Sequence, residues 1–251
     1  MATLSAVIIT LNEADNIRAC LESVKFADEI VVLDSGSTDA TVEICREYTD
    51  QVYHQPWLGF AAQKNAALDR ATGDWVLSLD ADERVTPELA SALQQVRADP
   101  PADVDGFHVY RKVFFGNKWL KHGGFYPEKV LRLVRRGRAR FGLRSVHEAL
   151  ETDGPTRLIP KDIEHYTYRS VEDYLARMKR YAALSAEEYF QKGRTTGPMR
   201  MTGHAAFTFF QMYILKAGFL DGYEGFLMAV LYAMYTFSKY AILYDMRRRP
   251  V

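Results

Sequence analysis

Several familiar signatures are missing from this chain, and each absence narrows what it can be. The 251 residues contain two cysteines, Cys20 and Cys45, inside helical patterns without CxxC or Cys/His spacing. Neither a disulfide framework nor a zinc site is expected, and both read as core thiols. No GxGxxG follows the first apolar run and no GxxxxGK[ST] occurs anywhere, which removes the usual dinucleotide and P-loop fingerprints. A nucleotide, if bound, is held another way. Net charge is absent too: 32 Lys plus Arg balance 32 Asp plus Glu, so only the local distribution of charge is informative. The opening "MATLSAVIIT" lacks a basic n-region and a small-residue cleavage site. It reads as a first buried strand, not a signal peptide, and the protein is expected in the cytosol.

What is present suits one good core and a smaller appendage, since 48% of the residues are apolar. Three β-branched runs without polar alternation, "AVIIT" (6–10), "EIVVLD" (29–34) and "WVLSLD" (75–80), alternate with helical patterns, as buried parallel strands of an α/β sheet do. "QVYHQ" is a short fourth. The first crossover helix is expected to start within residues 12–16, where Asn and Asp can cap, with Ile17, Cys20, Leu21 and Val24 on its inner face. Open α/β sheets bind ligands beyond the carboxyl ends of their strands. "TLNE", "LDSGSTD" and "LDADE" all fall there. Further on, "GFHVYRKVFFGNKWL" and "EKVLRLVRRGRARF" read as strands with a turn at Gly137.

Asp80 and Asp82 are separated by one residue, so on a chain still extended there both carboxylates leave the same side. Such a pair suits a hard divalent cation, Mg2+ or Mn2+, which takes oxygen ligands and keeps positions open for substrate phosphates. Helix capping ahead of "VTPELASALQQV" is the plainer alternative for Asp82 and Glu83.

The order "VIITLNE", "VVLDSGSTD", "GFAAQKNAAL", "WVLSLDADE" resembles the nucleotide-sugar half of the inverting glycosyltransferases of family 2, which have the GT-A fold. "GGFYPEKVLRLVRRGRARF", "VHEAL" and "HYTYRSVEDYLARMKRYA" are similar to the lipopolysaccharide-core β-1,4-glucosyltransferase type, the WaaE/KdtX group. The resemblance covers nearly the whole chain. It implies an α/β, Rossmann-like GT-A domain over residues 1–170, with a donor half at 1–100 and an acceptor half at 101–170, then a helical, apolar extension at 171–251. Carried over, it puts Asn12, Glu13 and Asp34 around the uracil and ribose of a UDP-sugar, with Lys64 and Asp80 facing the nucleotide and Asp82 as principal metal ligand. Carboxylates accept hydrogen bonds from uracil N3–H or ribose hydroxyls, and Lys64 can offset diphosphate charge. Helix capping competes for Asn12 and is preferred for Asp39.

The resemblance also implies the reaction: a single displacement moving a hexose, glucose first among them, to a heptose of the lipopolysaccharide inner core at the inner face of the cytoplasmic membrane. A divalent metal would neutralise the leaving diphosphate. In "VHE", Glu148 corresponds to the acidic position that serves as base. Adjacent residues on an extended chain face opposite ways, so one of His147 and Glu148 is expected to point at the acceptor, and Glu148 is preferred. His165 is a further candidate metal ligand, with a packed or surface imidazole as the alternative. A polyprenyl-phosphate sugar synthase shares the donor half, and a non-catalytic nucleotide-sugar-binding or scaffold protein is the reading of another class. Intact Asp80, Asp82 and Glu148 argue against the last.

From residue 111 to residue 144, eleven Lys or Arg accompany one acid, Glu128. A solvated hairpin face explains this. So does an anionic glycolipid acceptor, contacted by Arg132, Arg135, Arg136 and Arg138 through charge-assisted bonds. No RNA-binding motif is present, and nucleic acid is not an expected partner. Residues 171–191 are expected as an amphipathic helix with Tyr174, Leu175, Met178, Tyr181 and Leu184 on one face. In "GFLMAVLYAMYTFSKYAILY" (225–244) Lys239 is the one charge. Such a helix hides from water on every side, whether by docking at a membrane interface, by burial in a core or homodimer interface, or by spanning a bilayer. "AAFTFFQMYILKAGF" is its expected partner helix.

Overall fold

The structure, a computed structural model, describes residues 1–142 and 149–248. These form two compact units: Met1–Arg111 with Glu128–His165, and Lys112–Pro127 with the residues from Tyr166 onward. The division differs from the expected one at residue 170, because residues 112–127 and 166–170 group with the C-terminal helices.

The first part of the chain alternates strand and helix: β1 (Leu4–Thr10), α1 (Ala14–Ser23), β2 (Glu29–Asp34), α2 (Thr41–Arg46), β3 (Val52–His54), α3 (Phe60–Leu68), β4 (Trp75–Asp80), β5 (Glu83–Val85) and α4 (Pro87–Ala98). Strands dominate next, with β6 (Gly106–Phe115), β7 (Lys118–Leu120), β8 (Glu128–Arg135), β9 (Arg140–Phe141), β10 (Leu150–Glu151) and β11 (Thr156–Tyr168). The main sheet runs β3-β2-β1-β4-β8-β6-β11-β5. Its first four strands are parallel, whereas β8 joins β4 and β6 antiparallel and β5 joins β11 antiparallel.

The apolar runs become central strands because both of their faces are covered. Alternate residues feed different cores. Ala6, Ile8, Val32, Leu77 and Leu79 pack with Ile17, Cys20 and Leu21 of α1 and with Leu89 and Leu93 of α4. Val7, Val31, Leu33 and Val76 pack with Ala61, Ala67 and Leu68 of α3 and with Phe141 and Leu150. Cys20 and Cys45 are buried in the first of these cores. The helix after "LDADE" is capped by Thr86, whose hydroxyl accepts from Leu89 N at 3.3 Å, with Pro87 at its first position. Asp82 and Glu83 are therefore not its caps. Nor does Asn12 cap α1, which begins two residues later. Asn12 holds φ = 54°, a left-handed conformation that Asn tolerates better than most residues.

In the second unit the end of β6 pairs with β7, and α5 (Val171–Gln191), α6 (Pro198–Phe210) and α7 (Gly222–Arg248) follow, with a π-turn at Gln211–Leu215 and a 3-10 turn at Gly218–Asp221 between the last two. Its core gathers Val113, Leu120, Phe125, Tyr174, Met212, Met228, Ala229 and Leu231. Helix α5 matches the expected bounds but not the expected face. Tyr174 is buried, yet the other buried positions are Ala182, Ser185 and Ala186, and Leu184 is 42% exposed. Small residues let α7 approach α5 closely, so the packed stripe is not the one with the largest side chains. The same logic explains Gly225. A Cβ there would stand 1.9 Å from the Gly218 carbonyl oxygen, which only glycine avoids.

Candidate active site

Strand register puts the polar ends of the apolar runs side by side. Thr10 pairs with Asp34, and Ile9 with Asp80, so three parallel strands end within a residue of one another. At this rim the first two turns are tied by side chains. Asn12 N–H donates to Ser37 Oγ at 2.8 Å, Asn12 Oδ1 accepts from Thr38 N at 2.8 Å, and Glu13 N–H donates to Thr41 Oγ1 at 2.8 Å. Asp39 accepts from Thr41 N at 3.0 Å and from Ala14 N at 3.2 Å, in keeping with a capping role. Asp34 is buried and folds the second turn around itself, taking Gly36 N at 2.8 Å, Ser37 N at 2.9 Å and Ser37 Oγ at 2.5 Å. Glu13 accepts from Asn16 Nδ2 at 2.7 Å. Gln63, fully buried on α3, joins the same turn by donating to Ser35 Oγ and to the Gln55 carbonyl.

Asp80 is the hinge of a charged cluster. Lys64 Nζ lies 2.6 Å from its Oδ1, and an Arg132 guanidinium nitrogen lies 3.3 Å from its Oδ2. Burial would raise the Asp80 pKa, but the two cations outweigh it and hold the carboxyl well below the usual carboxylate range. The same Arg132 nitrogen donates to Glu83 Oε1 at 2.6 Å, while Glu83 Oε2 accepts from Asp80 N at 3.1 Å. Glu83 and Arg132 are both buried, and Arg111, itself bound two-pronged to Glu128 at 2.7 and 2.9 Å, stands 3.8 Å from Glu83. The sequence suggests only a helix-capping role for Glu83 and singles out neither Gln63 nor Arg111. The residue types were visible; their partners lie far away in sequence.

The chain does not stay extended past Asp80. It turns at Ala81 and Asp82, so the two carboxylates meet different partners. Asp82 Oδ1 stands 3.3 Å from His165 Nε2. The expected trio of Asp80, Asp82 and His165 is not one cluster, and among the described residues no group of three His, Cys, Asp or Glu is poised to hold a metal. Asp82 and His165 alone do fit a divalent ion as a partial set. They supply a hard oxygen and an imidazole nitrogen, at about the separation of neighbouring ligands in an octahedral shell with bonds of ~2.1 Å. His165 Nδ1 is buried without a hydrogen-bond partner. Burial lowers the His165 pKa, but the Asp82 carboxylate more than offsets this and raises it overall.

The four arginines assigned to an acceptor do not share a surface. Because β8 runs antiparallel to β4, Arg135 lies opposite Trp75, at the far end of the strand from Asp80. Five residues at ~3.3 Å each place it about 16 Å away. There Arg135 Nε donates to the Val104 carbonyl at 2.7 Å and its guanidinium covers the Trp75 ring at 4.7 Å, while Arg136 and Arg138 are exposed beyond it. Arg132 faces inward to Glu83 and Asp80. His147 and Glu148 lie outside the described residues.

Comparison with known proteins gives the family and the fold. The profile of glycosyl transferase family 2 matches residues 5–151, more than half of the chain. Over 98% of its length the chain is 30% identical to the lipopolysaccharide core biosynthesis glycosyltransferase LpsC of Rhizobium meliloti, covering 95% of that protein. It is also 29% identical to an uncharacterized glycosyltransferase of Rickettsia felis, over 97% of this chain and 90% of the other. Among solved structures it resembles the mannosyltransferase PcManGT of Pyrobaculum calidifontis, determined with GDP-Man and Mn2+, with a TM-score of 0.55 over 97% of this chain and 88% of that one. At 16% identity this is a likeness of fold, and that fold is GT-A, as the sequence implied. The chain belongs to glycosyl transferase family 2.

Proposed function

We propose that the protein is an inverting hexosyltransferase that carries glucose from UDP-glucose to a heptose of the lipopolysaccharide inner core, at the inner face of the cytoplasmic membrane and with Mg2+ or Mn2+. The observation that carries this reading is the meeting of the Lys64–Asp80–Arg132 cluster and the Asp82–His165 pair beyond the strand ends. Likeness to a lipopolysaccharide core glycosyltransferase over nearly the whole chain supports the acceptor class.

In this reaction the acceptor oxygen bonds to the anomeric carbon as the bond from that carbon to the diphosphate breaks. The electron pair leaves with UDP, and the hydroxyl proton passes to Glu148, the proposed base. Lys64 and Arg132 hold fixed positive charge near the edge where diphosphate charge develops, which stabilises a transition state without reorganisation. Asp82 and His165 would hold the divalent ion, which supplies Lewis-acid stabilisation of the leaving group. Asn12, Glu13 and Asp34 border the proposed nucleoside end.

Incubating the protein with heptose-terminated core oligosaccharide, Mg2+ and a panel of UDP- and GDP-sugars tests the proposal. Mass spectrometry and NMR should find one added hexose with inverted anomeric configuration, from UDP-glucose. Retention of configuration overturns the mechanism. Transfer to polyprenyl phosphate in place of the core overturns the acceptor.

A further inference from the structure

The second unit turns much of its apolar surface outward. At the tip where α6 gives way to α7, Phe210, Ile214, Leu215, Phe219, Leu220 and Tyr223 are all exposed, Leu215 by 62% and Leu220 by 60%. The stripe continues down α7 at Phe226, Met234 and Phe237, spaced for one helical face. By length and composition the segment Gly218–Arg248, which contains an 18-residue window of mean hydropathy 1.4, is apolar enough to cross a membrane. Its other side, however, is covered by α5, whose outer face carries charge, so the free side is a surface and not a full circumference.

Two further observations identify what this surface meets. The first is where its charges go. Lys239, the one charge in the apolar run, lies against the rings of Tyr189, Tyr240 and Tyr235 at 4.9, 5.2 and 5.5 Å, turned toward α5 and away from the stripe. Asp221, the acid nearest the tip, is buried and engaged by His122, through its backbone N–H at 2.7 Å and its Nδ1 at 2.9 Å. The second is what remains at the tip. Lys216 lies between the exposed leucines, and its carbonyl accepts from Gly123 N at 2.8 Å, which fastens the 121–124 loop to the tip. Lys121 of that loop and Lys112 of β6 flank the Trp119 ring of β7 at 4.6 and 4.8 Å. Exposed apolar side chains beside Lys216 and Lys121 match the layered chemistry of an anionic membrane surface, where long basic side chains reach headgroups above the apolar layer. A second copy fits less well. A twofold contact brings the same positive charge in from both copies, which an anionic surface would neutralise and a second copy would not.

We propose that the α6–α7 tip, with the 121–124 loop, docks peripherally on a bilayer containing anionic phospholipid. This specifies the membrane contact that the proposed function assumes, and it rests on that reading only for where the acceptor lies.

The test uses the full chain, sedimented with vesicles of phosphatidylcholine alone or of phosphatidylcholine with phosphatidylglycerol, and sedimentation velocity without vesicles. Binding should require phosphatidylglycerol and weaken with salt. K121Q with K216Q should lower it about 25-fold, from about 1 kcal/mol, or roughly five-fold, for each basic residue near an anionic surface. L215S with L220S should lower it at least as far while leaving thermal unfolding unchanged, since both side chains are exposed. Equal vesicle binding by the wild type and both variants overturns the proposal, as does a wild type that stays in solution with both vesicles. A wild-type dimer that L215S with L220S converts to monomer, without vesicle binding by either, assigns the surface to a second copy and overturns it too. The readout needs no sugar nucleotide, so it stands whether or not the glucosyl transfer proposed above is found.

Discussion

Lys64 Nζ and Asp80 Oδ1 stand 2.6 Å apart, with side chains 10% and 24% exposed, on different elements that meet only in the folded chain. Removing one partner leaves a mostly buried charge uncompensated. Asp80→Asn should therefore lower stability by about 2–3 kcal/mol, near the lower end for a broken buried pair because Asp80 keeps some contact with water. Urea unfolding with an unchanged m-value checks this. Adding Lys64→Met should cost less than the two single changes summed, and simple additivity would show that the pair is not coupled.

Position along β8 predicts opposite outcomes for its arginines. Arg136→Gln with Arg138→Gln should leave donor and acceptor KM within about two-fold, since these groups are farther from the reacting edge than a Debye length of ~8 Å. Arg132→Gln should lower kcat/KM about 10²-fold, the usual effect of deleting one preorganised donor. Steady-state kinetics of both variants decide, and an acceptor KM that rises for the distal pair would return those arginines to the acceptor site.

Asp82→Asn should remove most transfer, because its carboxylate is assigned to a divalent ion. Chelation should stop the wild type, and added Mn2+ should restore it. Mn2+ binding followed by electron paramagnetic resonance should weaken in the variant. Undiminished binding there would move the metal elsewhere.

Glu148→Gln keeps size but takes no proton, and kcat should fall by about 10² to 10⁴, the share usual for a general base. That is roughly 3–5 kcal/mol of barrier. UDP affinity by calorimetry should hold, and His147→Gln should do less damage. The reverse pattern would make the imidazole the base.

Away from the rim, Glu29 predicts how stability depends on pH. Burial opposes its ionised form, but the Ser5 hydroxyl and the Thr72 N–H and hydroxyl outweigh burial and lower its pKa. A lowered carboxylate stabilises the fold fully above its unfolded pKa of about 4.3, and that contribution fades as pH falls through the folded value. The stability gap between wild type and Glu29→Gln should be constant from about pH 6 upward and shrink below about pH 4. A gap that grows on acidification would contradict the assignment.

The central strands were legible because burial on both faces writes itself as an unbroken apolar run, and β2 and β4 have the bounds their sequences suggest. The convergence of Asp34 and Asp80 followed from the same pattern. The Glu83–Arg132 contact was not legible. It joins residues 49 apart and exists only because β8 enters antiparallel beside β4, which no local period announces. The basic lobe misled for the same reason. Arginines close in sequence read as one surface, but Arg132 and Arg135 point toward opposite ends of β4. In α5 the error was of another kind: hydrophobic size marked Leu184 for the interior, whereas close packing chose Ala182 and Ala186.

The tied turns at the strand ends limit how this rim can meet a phosphate. The main-chain N–H groups of Asn12, Glu13, Ala14, Gly36, Ser37 and Thr38 each already donate to a side-chain oxygen of the protein itself. A P-loop or a helix N-terminus cradles anions with that same kind of group left open. These six groups form no such nest, so negative charge arriving beside them must be answered by ammonium, guanidinium or a metal ion. A chain built this way has no use for a glycine-rich fingerprint.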